Sequence, residues 1–413
     1  MKKETKEILE ALSHGPVQQF ILEHEKKDIR DLVLKNKVLF GIPTAQLIEQ
    51  IATRRKAKTK LPLYYNTPGI IFPPPGNFEQ SSSEATAKYK NEMIAALAQK
   101  INNRGADLTG GFGVDTYFFS TTFGEIHYVE PQASLLEIAR YNHELLGARN
   151  IQYHAATAED FITGTDTAFD FIYLDPSRRT AEKKKVHALD DAQPDVLKLK
   201  DELFKRTSLI VVKASPLFDL QAGISQLGCV KRVCVISVDN ECKELLFCCE
   251  KDFTDEPVII AANISERERG NDSFEFTFRE ERAETIHFHD PLTYLYEPNA
   301  AILKAGAFKS VAKRFSLKKI QTNTHLYTSE ELVRDFPGRI FFVEALVKPE
   351  PGTLKKYFPE GKANVTTRNY PLTPEALKKK TGLQDGGEKF LIGFSGEKKK
   401  FLAVASRLSH PFR

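Results

Sequence analysis

Apolar residues recur at helical spacing near the start of the chain, at Ile8, Leu9 and Leu12 and again at Leu47, Ile48 and Ile51. One buried stripe per helix is the expectation there. Residues 61–77 interrupt the pattern with five prolines and two glycines, which predicts a linker or domain boundary. A helix is expected next, with Ser81 to Ser83 offering capping hydroxyls, Glu84 in the first turn and an apolar face of Tyr89, Met93, Ile94 and Leu97. After Gly105 the rhythm becomes short apolar strands separated by helical stretches: residues 106–109, 125–130, 151–156, 169–175, 208–215, 230–239 and 244–250. Alternation of this kind predicts a mostly parallel sheet with helices on both faces. The last two strands lack a long crossover, so they are expected to form an antiparallel hairpin at the sheet edge. Past Asp255, residues 264–280 read as an exposed polar hairpin, residues 289–315 as a helical unit, and the chain from about 340 as a small α+β module. The expected domains are residues 1–75, 76–280, 281–338 and 339–413.

With 413 residues, 41% hydrophobic and 28% charged, the composition is that of a globular protein of more than one core. No apolar run is long enough for a bilayer span, and the acidic, amphipathic N-terminus is not a secretory signal. A cytoplasmic protein without membrane association is the expectation. The five cysteines, Cys229, Cys234, Cys242, Cys248 and Cys249, are odd in number and have no histidine at ligand spacing. Reduced, buried thiols are expected, with neither a disulfide scaffold nor a metal site. The net charge is only +4, but residues 351–380 hold seven Lys/Arg (355, 356, 362, 368, 378, 379 and 380) against two acids, Glu360 and Glu375. A second cluster comprises Arg54, Arg55, Lys56, Lys58 and Lys60. Basic patches of this kind suit a polyanionic partner.

The most informative segment runs from Asp107 through Thr109, Gly110, Gly111 and Gly113 to Asp115, between a strand and a helix. Glycines permit a tight turn and a close ligand approach. Glu130 ends the next strand, 19 positions after Gly111, where a carboxylate can accept hydrogen bonds from both hydroxyls of a ribose. A dinucleotide fingerprint would need a third glycine at position 116, which is Thr. Asp107 and Asp115 would also repel a pyrophosphate, whereas they suit the sulfonium and ammonium of S-adenosylmethionine. Charge decides for the latter.

Here the sequence resembles class I methyltransferases: residues 107–115 look like the first motif of that family, 129–131 like the second and 155–161 like the third. The resemblance implies a Rossmann-like α/β core, with Asp107 or Asp115 facing the amino acid moiety of the cofactor. It sets Gly111 and Gly113 against the cofactor backbone and Glu130 against the ribose. Thr157 stands where many relatives carry an acid near the adenine, and the backbone of Ala158 is the alternative contact. Ser82 offers either a hydroxyl to the cofactor or a helix cap.

Asp175-Pro176-Ser177-Arg178-Arg179 follows the fourth strand, at the carboxyl edge where ligands bind in open α/β sheets. The aromatic that often follows Asp/Asn-Pro-Pro in base-amine methyltransferases is missing. The cysteine of uracil-5 enzymes is missing too, since the stretch after the fifth strand is Lys213-Ala-Ser-Pro216. In-line transfer remains, with Asp175 accepting a proton or hydrogen bond from the nucleophile. Arg178 and Arg179 either hold a phosphate or form internal salt bridges, and Lys213 carries the same two readings.

Over its whole length the chain resembles a bacterial group of methyltransferases with a small ferredoxin-like piece and a C-terminal THUMP-like domain. The residues that carry this are 79–86, 175–179, 213–216, 364–370 and 374–378. The resemblance implies binding of structured RNA, in keeping with Lys356, Lys362, Arg368 and Lys378 as phosphate contacts and Tyr370 as a stacking surface. Two other functions fit the same residues: a small-molecule methyltransferase with the N-terminal helices as a lid, and a non-catalytic RNA-binding protein that keeps the fold.

Overall fold

The computed structural model describes residues 2–29, 37–99, 101–178, 192–265 and 271–408. The chain forms two compact units, Met1–Lys231 with Leu246–Thr254, and Arg232–Leu245 with Asp255–Arg413.

The first unit opens with helices Lys2–Ser13, Gly15–His24 and Thr44–Lys60, and a two-residue hairpin of β1 (Val38–Leu39) and β2 (Ile42–Pro43). Leu12, Val17, Ile21, Leu47 and Ile51 meet in one cluster with Ile71, so the sequence's apolar stripes face each other. The proline-rich stretch is not a linker. It contains the short helix Pro62–Asn66, and Tyr64, Ile70, Ile71 and Phe72 are all buried. Asn142 donates to the Ile71 carbonyl at 2.8 Å and accepts from its N–H at 3.0 Å, and Gln50 binds both backbone groups of Phe72. Side-chain amides thus replace the secondary structure that the prolines forbid. These bonds build the segment into the core, unlike a lid.

β3 (Arg104–Asp107), β4 (Glu125–Val129), β5 (Ile151–His154) and β6 (Phe171–Leu174) are followed by a two-residue pair, β7 (Ser177–Arg178) with β8 (Ala192–Gln193), and then by β9 (Leu209–Ala214). β5, β4, β3, β6 and β9 lie side by side in that order, all parallel. The chain leaves β3 toward β4 and β5, then returns to its other side for β6. That reversal makes the carboxyl ends of β3, β4 and β6 the expected ligand crevice.

β10 (Val230–Val238) and β11 (Glu241–Glu250), of which Arg232–Leu245 belongs to the second unit, are neighbours joined at Asp239 and Asn240, both with positive φ as a tight hairpin requires. The hairpin is not an edge, contrary to the sequence expectation. β12 (Val258–Ile264) lies parallel to β10, and β13 (Asn271–Phe276) antiparallel to β12. The apolar run from Val258 to Ala262 is long enough for a buried strand, but the polar residues after it hid that signal.

The segment 289–315 also begins differently from its helical reading. β14 (Tyr294–Pro298) precedes the short helices Ala300–Ala305 and Lys309–Arg314. β15 (Lys318–Gln321), β16 (Thr324–Ser329), β17 (Gly338–Leu346), β18 (Asn364–Arg368), β19 (Lys389–Ser395) and β20 (Lys400–Leu408) complete a seven-stranded sheet ordered β15-β16-β14-β17-β20-β19-β18. The sheet curls until its ends approach, with Thr324 Oγ1 donating to the Ser395 carbonyl at 2.7 Å. Leu295, Ile320, Phe341, Ile392 and Phe394 fill the concave side. Leu377 and Leu354, from helices Pro374–Thr381 and Pro351–Lys355, pack on the other face against Leu391 and Val404. No helix among the described residues is long and apolar enough to cross a membrane.

Candidate active site at the carboxyl ends of the parallel strands

Three glycines shape the turn after β3, for different reasons. A Cβ on Gly110 would stand 2.2 Å from the Tyr128 ring, and one on Gly113 (φ 82°) 2.6 Å from His143. Gly111 (φ 54°) has no heavy atom nearer than 3.8 Å to the same position. Packing therefore demands Gly110 and Gly113, while Gly111 alone turns an open backbone face outward. Tyr128 Oη donates to the Gly111 carbonyl at 2.6 Å, and His143 Nε2 donates to the Gly113 carbonyl at 2.8 Å. Burial pushes His143 down to about 4, so the ring is neutral, and its other nitrogen accepts from Tyr153 Oη at 2.9 Å.

Glu130 follows β4, is 6% exposed and accepts from Gly111 N at 3.0 Å and Gln132 N at 2.8 Å. Burial raises its pKa, and these two N–H groups oppose the rise. Asp107 is deeper, at 1% exposure, and accepts from Thr116 Oγ1 at 2.6 Å and Thr109 N at 3.1 Å. Burial pushes it up to about 7; the Thr116 hydroxyl lowers it again, and the Asp115 carboxylate adds to the rise.

Asp115 has a different environment. It lies in the first turn of helix Val114–Ser120 and pairs with Lys90 Nζ at 3.0 Å, while Ser82 Oγ donates to it at 2.7 Å and Tyr173 Oη at 3.1 Å. Burial opposes its ionisation, yet the Lys90 and Lys213 cations and the Ser82 hydroxyl outweigh that and hold its carboxyl below the ordinary range. Ser82 is not the cap of helix Glu84–Leu97: Ser83 is, accepting from Thr86 N at 3.2 Å. Ser82 also accepts from Lys90 Nζ at 2.6 Å and Lys213 Nζ at 3.3 Å. Lys90 has no exposed side-chain surface.

Asp175 leaves the end of β6 with its N–H donating to Thr109 Oγ1 at 2.6 Å and its Oδ2 paired with Lys213 Nζ at 2.7 Å. Pro176 is half-buried and Ser177 exposed. The side chain of Arg178 and all of Arg179 lie outside the described residues. Thr157 caps helix Ala158–Gly164, accepting from Asp160 N and donating to Asp160 Oδ2. Its hydroxyl is thus committed, whereas Ala158 begins the helix with an N–H that no helical carbonyl can reach.

The structure therefore brings Asp107, Asp115, Glu130, Asp175 and Lys213 to one strand edge. The sequence reading missed Lys90, Thr116, Tyr128, His143 and Tyr173. The apolar spacing of helix Glu84–Leu97 gave a weak signal for Lys90, since position 90 lies one turn before Ile94 on the inward face. The other four have no local signature.

The basic residues fare unevenly. In the first unit Arg54 pairs with Glu25 at 3.0 Å and lies over the Tyr65 ring. Arg55 binds the His24 and Glu25 carbonyls, Lys56 pairs with Glu79, and Lys60 binds the Phe78 and Glu79 carbonyls. That cluster is largely consumed internally. In the second unit Arg368 is committed to Glu297, which also binds Arg339. Tyr370 packs inward, its ring against Gly393. Tyr370 thus packs against a glycine gap instead of facing solvent, while Arg368 keeps 37% of its side chain exposed beside the buried Glu297 carboxylate. Lys378 pairs with Asp385 at 2.8 Å. Lys355, Lys356, Lys362, Lys379 and Lys380 are exposed.

Comparison with known proteins agrees with this architecture. Residues 294–337 match a ferredoxin-like domain family and residues 338–407 a THUMP domain-like family. A Porphyromonas gingivalis W83 protein, solved as a "putative methyltransferase", is 30% identical and superposes with a TM-score of 0.83, covering 95% of this chain and 98% of that one. A SAM-dependent methyltransferase from Agrobacterium tumefaciens (18% identity, TM-score 0.32, 41% of this chain and 63% of that one) matches a smaller part. So does an rRNA methylase from Streptococcus thermophilus (14%, 0.30, 39% and 94%). No protein with a curated description matches. Identity at this level along nearly all of both chains makes the protein a member of the P. gingivalis protein's methyltransferase family, with a Rossmann-like core followed by ferredoxin-like and THUMP-like domains.

Proposed function

We propose that the protein is an S-adenosylmethionine-dependent methyltransferase that acts on RNA by direct in-line transfer. The observation that carries the cofactor assignment is the anionic cradle: an open glycine backbone at Gly111, Glu130 bonded to its N–H, and Asp107 beneath. A pyrophosphate would meet uncompensated carboxylates here, whereas a sulfonium compound with an ammonium group is complemented by them. Of the two aspartates, Asp107 suits the ammonium better. Asp115 is already balanced by Lys90 and Lys213, and the bonds Asp107 accepts come from neutral hydroxyl and N–H groups. Glu130 keeps lone pairs for the ribose hydroxyls, and the Ala158 N–H suits the adenine edge better than the committed Thr157 hydroxyl does.

When bound, the cofactor supplies an electrophilic methyl group, so the protein's task is alignment and removal of a proton. Asp175, with 35% of its side chain exposed, is the carboxylate in reach of an incoming nucleophile. The THUMP-like domain and the exposed lysines at 355, 356, 362, 379 and 380 support RNA as the substrate.

Incubation with tritiated S-adenosylmethionine and total cellular RNA tests both halves. Label in RNA is expected, with Asp175→Ala lowering turnover by on the order of a hundredfold or more while cofactor affinity holds. Label that appears only in small metabolites would redirect the substrate assignment, and a fully active Asp175→Ala would remove its role.

A further inference from the structure

We propose that Lys213 is a positioning residue that holds Asp175 with one carboxylate oxygen tied and the other presented to the methyl acceptor; this rests on the methyltransferase reading. Lys213 stands near the end of β9 with 11% of its side chain exposed, too enclosed to serve as a surface phosphate contact. Its ammonium lies 2.7 Å from Asp175 Oδ2 and 3.3 Å from Ser82 Oγ. Ser82 in turn donates to Asp115 and accepts from Lys90, and Asp115 is bonded by Tyr173. Lys213 is thus braced by the loop before helix Glu84–Leu97 and by the helix after β3.

The second constraint on Asp175 comes from the backbone. Its N–H donates to Thr109 Oγ1 at 2.6 Å, which fixes the residue against the glycine turn. Backbone and Oδ2 are then both held, and Oδ1 has no hydrogen-bond partner among the described residues. A carboxylate pinned at one oxygen presents the other in a single direction, which in-line transfer needs. In that step the acceptor's proton passes to Asp175 Oδ1 and its electron pair forms the bond to the methyl carbon. The carbon–sulfur pair stays on sulfur as a neutral thioether, and the proton is later lost to water.

The test uses the full-length protein, the RNA fraction that it methylates, and the variants Lys213→Met, Lys213→Arg, Asp175→Asn and the Lys213→Met/Asp175→Asn double. Lys213→Met should cut kcat by on the order of a hundredfold, with RNA KM and calorimetric cofactor affinity changed less than about threefold. Lys213→Arg should restore about tenfold or more of the loss. The double variant should be no slower than Asp175→Asn alone, because the two residues act as one unit. In a ligand-free crystal structure of Lys213→Met the Asp175 carboxylate should leave its present orientation. Should Lys213→Met fail to fold, Lys213→Arg carries the test: an arginine variant as slow as Asp175→Asn overturns the proposal. So does a Lys213→Met enzyme of native rate, or losses that multiply in the double variant. A native protein that methylates no RNA sinks the functional reading along with this proposal, whereas a native protein that does so beside an equally active Lys213→Met sinks this proposal alone.

Discussion

Asp107 is the residue whose chemistry depends most on its burial. In water an aspartic acid is ionised throughout the neutral range, but here burial pushes it up to about 7 from 3.8. The folded state therefore binds more protons than the unfolded chain between about pH 4 and 7. The stability that comes from protonated Asp107 is complete below about pH 4 and lost as pH rises through about 7. Cofactor binding runs the other way, because a cation favours the ionised carboxylate. Affinity for S-adenosylmethionine should rise between about pH 6 and 8, with proton release near pH ~6.5 measured by calorimetry in two buffers of different ionisation enthalpy. Asp107→Asn should flatten that dependence. An affinity in the native protein that does not vary over this range would exclude Asp107 as the ammonium partner.

At the scale of the element, the turn between β3 and helix Val114–Ser120 sets two closely packed glycines, Gly110 and Gly113, around an open one, Gly111. Gly110 abuts Tyr128, which is fully buried and tethered to the Gly111 carbonyl. Gly110→Ala must displace that ring, and overpacking of this kind costs about 1–3 kcal/mol. Gly111→Ala meets no neighbour; its positive φ costs about 1–2 kcal/mol, and under the proposed function its new methyl stands in the way of the cofactor. Thermal melts and calorimetry together should show Gly110→Ala as the less stable variant and Gly111→Ala as the one that loses cofactor affinity out of proportion to stability. Equal melting temperatures for Gly110→Ala and the native protein would contradict the packing argument. The sequence reading set Gly111 and Gly113 alike against the cofactor; only the positions of Tyr128 and His143, 17 and 30 residues from their carbonyl partners, give Gly113 a packing role of its own.

At the scale of the whole molecule, the anionic cradle belongs to the first compact unit and the exposed lysines to the second. Under the proposed function, RNA capture and methyl transfer should therefore be separable by mutation. Lys355, Lys356, Lys379 and Lys380 changed together to Glu should weaken RNA binding at every ionic strength. The slope of log K against log salt should shrink by roughly 0.7–0.9 for each phosphate that is no longer neutralised. Cofactor affinity should stay at the native value. An unchanged salt slope in a filter-binding or fluorescence titration would move the RNA-binding surface elsewhere. Arg54, Arg55, Lys56 and Lys60 serve as a control, since their intramolecular partners already occupy them.

What the sequence determined by itself is the part governed by local rules. The period of apolar residues gave the parallel strands and the N-terminal helices, and the glycines after Asp107 gave the tight turn between a strand and a helix, because these follow from a few adjacent residues. The tertiary structure decided everything that needs distant partners. It built the proline-rich stretch into the core through Asn142 and Gln50, paired Arg368 with Glu297 and packed Tyr370 inward. It balanced Asp115 with Lys90 while burying Asp107 among neutral hydroxyl and N–H donors near other carboxylates, so that two aspartates alike in sequence ionise differently. A carboxyl's proton affinity depends on the dielectric and the charges within a few ångströms of it. For Asp115 those neighbours are Ser82, Lys90, Tyr173 and Lys213, which the chain brings together only by folding.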